Sequence, residues 1–352
     1  MAASRRTSAS TSLPTAPRTA RADDPRHLWS RSMNNEQAAW FAETFERLAS
    51  NVEIAIVGKR ASIRLALTCL LSDGHLLLED VPGTGKTMLA KAIANTVHGS
   101  HGRIQFTPDL LPSDVTGTTV LDQRTNEFEF RPGPVFATIL LADEINRASP
   151  KTQSALLEVM EEGRVTHDGH SYPVGPPFMV IATQNPIEQA GTYRLPEAQL
   201  DRFLMKTALG YPDRDSTVRL LADAANRNRS DSVPPLISAN AVIEMAALAA
   251  TVHVDEAVLG YVADIAEASR RLDDTKIGLS TRGCLSYVRA AKTWAAAAGR
   301  VFVTPDDIKD LATAVLSHRL ILEPEAEFSG ATVGGVIAHI FSHVAPPQMS
   351  GV

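Results

Sequence analysis

The hydrophobic positions of the chain follow two different patterns, one on each side of Pro212. Before Pro212, short apolar runs alternate with segments in which apolar residues recur at helical spacing. The runs are Leu76–Leu78, Ile104–Phe106, Ile139–Ala142, Met179–Ala182 and Leu204–Leu209. Such runs are typical of strands buried on both faces of a parallel sheet. The pattern therefore predicts an α/β core over residues 33–212, with helices on both faces of a parallel sheet.

Beyond Pro212 the strand pattern disappears and alanine-rich helical periodicity takes its place. Helices are predicted at about 214–228, 238–251, 254–271, 281–298 and 305–319. The last one begins with a capping-box pattern, Thr304 and Asp307, and has a proline in its first turn. The second part of the chain, residues 213–352, is therefore predicted to be an all-helical domain.

Residues 1–32 lack apolar periodicity and are rich in Ser, Thr, Ala, Pro and Arg. This composition predicts a disordered basic tail, although an Arg- and Ser-rich start also resembles an organelle transit peptide. Met33 opens the first helical pattern, which is capped at Asn34 or Asn35, so Met33 is a second candidate for the start of translation.

Composition and charge narrow the class of protein. The chain has 352 residues, of which 44% are hydrophobic, and no stretch approaches the roughly 20 apolar residues that a membrane span needs. Two cysteines, Cys69 and Cys284, are too few for a disulfide framework, so we expect inert core thiols and a cytoplasmic location. Six arginines against two aspartates give residues 1–32 a charge of +4, which leaves −10 for the rest. Because phosphate-backbone binding rests on Lys and Arg, nucleic acid is not the expected partner.

The strongest chemical motif is a glycine-rich loop that follows one apolar run and precedes a helical pattern at 88–97. It reads Val-Pro-Gly-Thr-Gly-Lys-Thr over positions 81–87. In a phosphate-binding loop, glycines let backbone N–H groups turn toward an anion at a helix N-terminus. The predicted nucleotide-binding residues are Pro82, Gly83, Thr84, Gly85, Lys86, Thr87 and Met88. Lys86 is expected to reach the β- and γ-phosphates, and the Thr87 hydroxyl to bind Mg²⁺.

The loop departs from the usual phosphate-loop pattern at one position. Asp80 stands where that pattern has glycine. This position opens the turn and does not itself hold phosphate, so we expect the change to be tolerated.

Polar side chains end two later strands. Asp143 and Glu144 follow the run Ile139–Ala142, and Asn185 follows Met179–Ala182. The carboxyl ends of parallel strands meet at one edge of a sheet, beside the phosphate loop. We therefore expect Asp143 to hold Mg²⁺, Glu144 to deprotonate the attacking water as a general base, and Asn185 to orient that water.

These motifs make residues 52–320 resemble the AAA+ ATPases, and within them the MoxR family. The resemblance is carried by the strings Leu-Ala-Asp-Glu-Ile-Asn-Arg at 141–147, Lys-Thr-Gln-Ser-Ala-Leu-Leu-Glu at 151–158, and the run at 182–203. It implies an AAA+ core that binds ATP and Mg²⁺, followed by a helical lid. It further implies that Asn185 is sensor 1, that Arg202 is an arginine finger acting on a neighbour's ATP, and that Arg282 is sensor 2. Arg147 is open between an interface sensor and an ordinary salt-bridge residue.

Other segments are assigned from the same resemblance. The segments at 117–135 and 162–177 are expected to form hairpins, similar to the helix-2 insert and the pre-sensor-1 hairpin, which commonly face a central pore or a client. Lys59 departs from the Val-Gly-Gln-like element expected near adenine, so a contact there is weakly supported. The pair His318 and Arg319 is explained by the dipole of a helix end.

The function implied is a MoxR-like ATPase that hydrolyses Mg-ATP in a ring, a hexamer by family precedent, and remodels or activates a protein client. A partner with a von Willebrand factor A-type domain is also implied. The lid is expected to rotate near Tyr211 and Pro212. Two alternatives stay open: a magnesium-chelatase-like or nucleic-acid motor of the same branch, and a nucleotide-gated scaffold with negligible turnover.

Overall fold

The computed structural model describes residues 32–185, 193, 195–223 and 228–348. Outside the described residues lie positions 1–31 of the predicted tail at 1–32, positions 186–192 and 194 of the family run at 182–203, and positions 224–227 of the predicted helix at 214–228. No helix in these described ranges is both long and apolar enough to cross a membrane.

The first part of the chain supplies the sheet and the helices that cover it. In chain order its elements are α1 (Asn35–Glu53), α2 (Arg60–Leu71), β1 (Leu76–Glu79), α3 (Lys86–Thr96), β2 (His101–Gln105), α4 (Pro112–Thr116), β3 (Gly117–Asp122), β4 (Glu127–Pro132), β5 (Ile139–Asp143), α5 (Pro150–Glu162), β6 (Arg164–His167), β7 (His170–Pro173), β8 (Met179–Gln184), α6 (Glu197–Leu200) and β9 (Met205–Thr207).

The second part is mainly helical. Its elements are α7 (Arg214–Ala222), α8 (Ala239–Ala250), α9 (Glu256–Arg271), β10 (Thr275–Ile277), α10 (Thr281–Ala297), α11 (Pro305–Leu316), β11 (Ile321–Leu322), α12 (Pro324–Phe328) and α13 (Val333–His343). The capping box of α11 is confirmed: the Thr304 hydroxyl accepts from the Asp307 backbone N–H, and the Asp307 carboxylate accepts from that of Thr304.

The sequence pattern predicted an all-helical lid, but the lid also contains two short strands. Strands β10 and β11 pair in an antiparallel two-stranded sheet. They span only three and two residues, too short for a hydrophobic alternation to be recognised.

Five of the described strands form one sheet in the order β2-β5-β8-β1-β9, and every pairing in it is parallel. The expectation that each run is buried on both faces is wrong for β2. Because β2 is an edge strand, Gln105 is exposed while Ile104 is buried.

Successive residues of the central strands enter two separate cores. Leu77 and Leu140 pack on one face, with α5, whereas Leu78 and Leu141 pack on the other. The second core continues through α1 and α2 into the lid helices, where Tyr287 is fully buried. The lid helices therefore share one hydrophobic core with the helices that cover the sheet.

Two hairpins precede β5 and β8, as predicted: β3 pairs with β4, and β6 with β7, both antiparallel. They contact each other, since the ring of Phe130 stacks on Tyr172 with centroids 4.0 Å apart, and the Thr119 hydroxyl donates to Asp168 at 2.9 Å. Phe128, in contrast, is 76% exposed. The hairpins thus form a joined unit that carries an exposed aromatic ring.

Candidate nucleotide site

A cavity of about 360 Å³ lies at the carboxyl ends of β1, β5 and β8, which are adjacent in the sheet. It is lined by Pro82, Gly83, Thr84, Gly85, Lys86, Thr87, Asp143, Glu144, Thr183, Gln184 and Asn185. The structure therefore brings the glycine loop, both acidic residues and Asn185 together. Met88 does not line the cavity, and its side chain packs against the hydrophobic core.

The glycine loop needs glycine for its backbone conformation. Gly83 and Gly85 have φ angles of 83° and 97°, in the left-handed region that other residues rarely adopt. A Cβ on Gly83 would meet nothing within 4 Å, so the space beside it stays open to a ligand. Helix α3 begins at Lys86, so its free N–H groups face the same cavity. These features form an anion site suited to phosphate.

Asp80, the departure from the loop pattern, proves to be a tether. Its buried carboxylate accepts three backbone N–H groups: Val81 at 2.9 Å, and Leu209 and Gly210 at 2.8 Å each. Lys86 Nζ donates to the carbonyl oxygens of Asp80 and Val81 at 3.0 and 2.8 Å. Asp80 therefore fastens the loop to the segment that leads into the lid, and its tolerance in phosphate binding stays a prediction.

Asp143 ends β5 with its carboxylate facing the cavity. Oδ1 accepts from the Thr183 hydroxyl at 2.7 Å, and Oδ2 pairs with Arg103 at 2.8 Å. A carboxylate has about four acceptor positions, so both oxygens keep capacity for a water or an ion. Mg²⁺ is commonly held by one or two carboxylates together with substrate phosphates, and the Asp143 and Thr87 oxygens fit that donor set.

Glu144 adopts a left-handed backbone conformation with φ of 58°, uncommon for a residue with a side chain. Its N–H donates to Thr183 Oγ1 at 2.9 Å, while its carboxylate accepts from Gln105 at 2.7 Å and pairs with Arg147 at 3.1 Å. Such strained conformations persist where the surroundings over-determine them, and they cluster at active sites. Arg147 therefore holds Glu144 within its own chain, and an interface role for it stays a prediction.

The segment around Gly58 and Lys59, which the resemblance places near adenine, packs closely against α7. A Cβ on Gly58 would lie 2.2 Å from the Ser216 hydroxyl of α7, so glycine is required there. Lys59 Nζ donates to the Tyr211 carbonyl oxygen at 2.6 Å. Lys59 thus fastens the chain before α2 to the segment between β9 and α7.

Arg202 and Arg282 do not line the cavity. Both instead bind one carboxylate, that of Glu161 near the end of α5: Arg202 Nη2 lies 2.8 Å from Oε2, and Arg282 Nη2 contacts Oε1. We call these three residues the arginine cluster. Within one chain, the two arginines therefore lie outside the cavity that the phosphate loop lines, and they lie next to each other at Glu161.

Sequence reasoning missed several of these residues. Arg103 directly precedes the predicted run Ile104–Phe106, and Gln105 lies within it; the alternation of polar and apolar positions at 103–106 was the available signal. Thr183 directly follows the apolar run Met179–Ala182 and carries no signal of its own in the sequence, although it bonds both acidic residues. Glu161 carries no sequence signal, because its arginine partner in the lid is 121 residues away.

Comparison with known proteins agrees with this geometry. Residues 75–205 match the model of the ATPase family associated with various cellular activities (AAA), and residues 267–340 match the AAA lid domain. The chaperone MoxR1 of Mycobacterium tuberculosis is 40% identical over 88% of this chain and 84% of its own length. This chain belongs to the MoxR family of AAA+ ATPases.

Two further relatives match this chain over more than nine tenths of their own length. The MoxR protein of Paracoccus denitrificans is 31% identical over 84% of this chain and 93% of its own. The uncharacterised YeaC protein of Bacillus subtilis is 45% identical over 87% of this chain and 96% of its own. A crystal structure from Cytophaga hutchinsonii, described as an inferred ATPase, superposes with a TM-score of 0.83 at 38% identity, covering 89% of this chain. This MoxR-family chain thus shares the fold of its AAA+ core and lid with the solved structure.

Proposed function

We propose that this MoxR-family protein hydrolyses Mg-ATP in a head-to-tail ring, and that Arg202 and Arg282 of one subunit complete the ATP site of its neighbour. The observation that carries the proposal is the division of the machinery. The phosphate loop, Asp143, Glu144 and Asn185 line one cavity, whereas both arginines bind Glu161 outside it. Arginines that serve a γ-phosphate in another subunit need not reach the cavity of their own.

Within one chain, the residues divide the chemistry as follows. The loop N–H groups and Lys86 bind the phosphates of the substrate ATP. The Glu144 carboxylate accepts the proton of the attacking water, and the Asn185 amide orients that water. Mg²⁺, held through Thr87 and Asp143, neutralises charge on the β- and γ-phosphates when bound.

Arg202 and Arg282 take up the charge that develops on the transferred phosphoryl group. A guanidinium is permanently charged and presents a planar fork of donors that matches phosphate oxygens. Supplying it from a second subunit links turnover to assembly, because a heterologous interface repeated around an axis closes into a ring. The ring size that we propose from the family resemblance is six.

The cycle acts on a protein client, with a von Willebrand factor A-type protein as a candidate partner. This part rests on the MoxR resemblance and on the exposed Phe128 of the joined hairpins, an aromatic group available for contact. The location that we propose is the cytoplasm, which agrees with the unpaired thiols of Cys69 and Cys284.

Phosphate release from Mg-ATP, measured for the wild type and Glu144→Gln together with oligomer mass by light scattering, tests the proposal. We expect ATP-dependent assembly in both proteins and turnover lowered at least about 10²-fold in the variant, since it lacks the general base. Glu244→Gln, which changes an exposed carboxylate on α8, is the matched control and should retain wild-type turnover.

Equal turnover in the wild type and Glu144→Gln, with tight ATP binding in both, would favour the nucleotide-gated scaffold. Stimulation of the rate by DNA would favour the nucleic-acid motor. Full turnover by a monomer would exclude any contribution of a neighbouring subunit.

A further inference from the structure

Asp201, directly before Arg202, joins the core to two elements of the lid. Its Oδ1 accepts from Arg319 Nε at 2.7 Å, and its Oδ2 accepts from the Ser280 hydroxyl at 2.7 Å. Ser280 is the N-cap of α10, and Arg319 follows the end of α11. We call Asp201, Ser280 and Arg319 the lid junction. One carboxylate of the core thus binds two separate parts of the lid.

Arg319 extends this attachment to the backbone around Arg202. Its guanidinium donates to the carbonyl oxygens of Phe203 at 2.7 Å and Leu204 at 3.1 Å, and its side chain is only 2% exposed. A buried guanidinium is costly unless its donors are satisfied and its charge is paired. The explanation of this residue by a helix dipole is therefore incomplete, because most of its bonds go to the core.

The first turn of α10 is shaped to admit this side chain. A Cβ on Gly283 would lie 3.0 Å from Arg319 Cδ and 2.5 Å from a methyl carbon of Leu279. The fit of α10 against Arg319 depends on a glycine at this position, so it is a constraint independent of the ion pair.

The lid junction lies next to the arginine cluster in the chain at both ends. Arg202 directly follows Asp201, and Arg282 is the second residue after Ser280. Both arginines meet at Glu161. The Asp201 contacts therefore fix where the two guanidinium groups lie relative to each other and to the lid.

We infer that Asp201 is a positioning residue. It holds the segment that carries Arg202, residues 201–204 between α6 and β9, as a single unit with the lid, and thereby presents Arg202 and Arg282 together to the ATP of the neighbouring subunit. We call residues 201–204 the finger loop. A movement of the lid then carries the finger loop with it. This inference rests on the proposed action of the arginines between subunits.

The test uses the full chain and mixtures of variants. Asp201→Asn is expected to lower kcat on the order of 10²-fold with unchanged ATP affinity, since a displacement of about 1 Å in a reacting geometry costs about that much. Equimolar mixing with Glu144→Gln should raise turnover to about a quarter of the wild-type rate, because each Asp201→Asn site that borders a Glu144→Gln subunit receives an intact Arg202. Random mixing gives about one such interface in four.

Matched controls separate positioning from loss of stability. Asp307→Asn breaks another buried carboxylate–guanidinium pair, with Arg300 inside the lid, and should keep near-wild-type kcat at a similar loss of stability. Ser280→Ala is a milder break of the lid junction, compared with Ser238→Ala, which removes the N-cap of α8 alone. We expect the Ser280 variant to lose turnover and the Ser238 variant to retain it.

Arg202→Ala mixed with Glu144→Gln distinguishes the two levels of the argument. If this mixture stays inactive, action between subunits is wrong and the role of Asp201 falls with it. If this mixture recovers but Asp201→Asn has normal kcat, or loses kcat without recovery on mixing, only the Asp201 inference is overturned.

Discussion

The nucleotide cavity and the arginine cluster are both charged sites, but they are built from different parts of the backbone. In the cavity, loop N–H groups and residues at three strand ends converge within the core. In the arginine cluster, a core helix, the finger loop and the first turn of α10 each contribute one side chain. The cavity is therefore shaped by the sheet, whereas the cluster is shaped by the way in which the lid docks on the core.

This difference bears on how turnover could be controlled. In the cavity, parallel pairing of β5 with β8 fixes the strand ends that carry Asp143 and Asn185, whatever the position of the lid. A cluster made between the lid and the core changes whenever their relative position changes. ATP binding would then depend on a single chain, and the rate of ATP hydrolysis on the contact between chains.

The largest effects are expected when one cation is removed from each site. Lys86→Ala should abolish detectable ATP binding, because the phosphate loop loses its only charged donor to the phosphates and the bonds that shape it. Arg202→Ala should retain ATP affinity and lose about 10³-fold or more in kcat, as expected for an arginine finger. Titration with a fluorescent ATP analogue, alongside phosphate release, measures both.

The comparison fails if Arg202→Ala weakens ATP binding to the isolated subunit as strongly as Lys86→Ala does. That result would place the guanidinium in the cavity of its own chain.

The next largest effect is expected at Asp80, which tethers the phosphate loop of the cavity. Asp80→Asn keeps one acceptor oxygen, so part of the set of three N–H bonds is lost, and hydrogen bonds to a charged group contribute about 1.5–3 kcal/mol each. We expect the free energy of unfolding to fall by about 2 kcal/mol and ATP affinity to fall with it. Urea denaturation measures the first quantity, with Asp215→Asn, at an exposed carboxylate, as control. An unchanged transition would show that the tether does not hold the loop.

The parts of the molecule that could be predicted from sequence are those made by local chemistry. Gly83, Gly85 and Lys86 act through their own backbone and the next helix, so seven consecutive residues suffice to recognise them. Asp143 and Asn185 end apolar strands, and parallel pairing then brings them to the same edge. The two hairpins were visible for the same reason, because their turns and strands are contiguous.

The lid junction could not be predicted, because its bonds join residues that are far apart in the chain. Asp201 meets Arg319 across 118 residues and Ser280 across 79, and each of these residue types is common at a protein surface. The same reason hid Asp80 as a tether, since its partners Leu209 and Gly210 contribute only backbone. Register and lid docking, which a single sequence does not display, decide these contacts.

Acid should weaken the lid junction through His318. Burial and the neighbouring charges of Arg319 and Lys206 hold the pKa of His318 well below its usual value, with an opposing bond to the Phe203 carbonyl oxygen. The unfolded chain takes up this proton near pH 6.5 and the folded chain does not, so stability falls as the pH drops below about 6.5. We expect about 1 kcal/mol of the unfolding free energy to be lost by pH 5.5 from this residue.

Denaturation midpoints between pH 7.5 and 5.5 measure this effect, and His318→Gln should flatten the profile. His75 provides a matched comparison at the amino-terminal end of β1, where burial also lowers the pKa of its imidazole. A profile that His75→Gln flattens and His318→Gln leaves unchanged would assign the acid sensitivity to the sheet and not to the lid junction.

The smallest effect is expected at the hairpins, which belong to neither charged site. Phe128 is 76% exposed, so Phe128→Ser should change the unfolding free energy by less than about 0.5 kcal/mol and leave basal phosphate release unchanged. Phe130→Ser, in contrast, removes the ring that stacks on Tyr172 and should separate the two hairpins. Limited proteolysis at the hairpins, together with phosphate release, compares the two variants. Faster cleavage of Phe130→Ser with unchanged basal phosphate release would show that the hairpins do not contribute to the catalytic geometry. Slower basal phosphate release in Phe128→Ser would instead show that this exposed ring contributes to turnover itself.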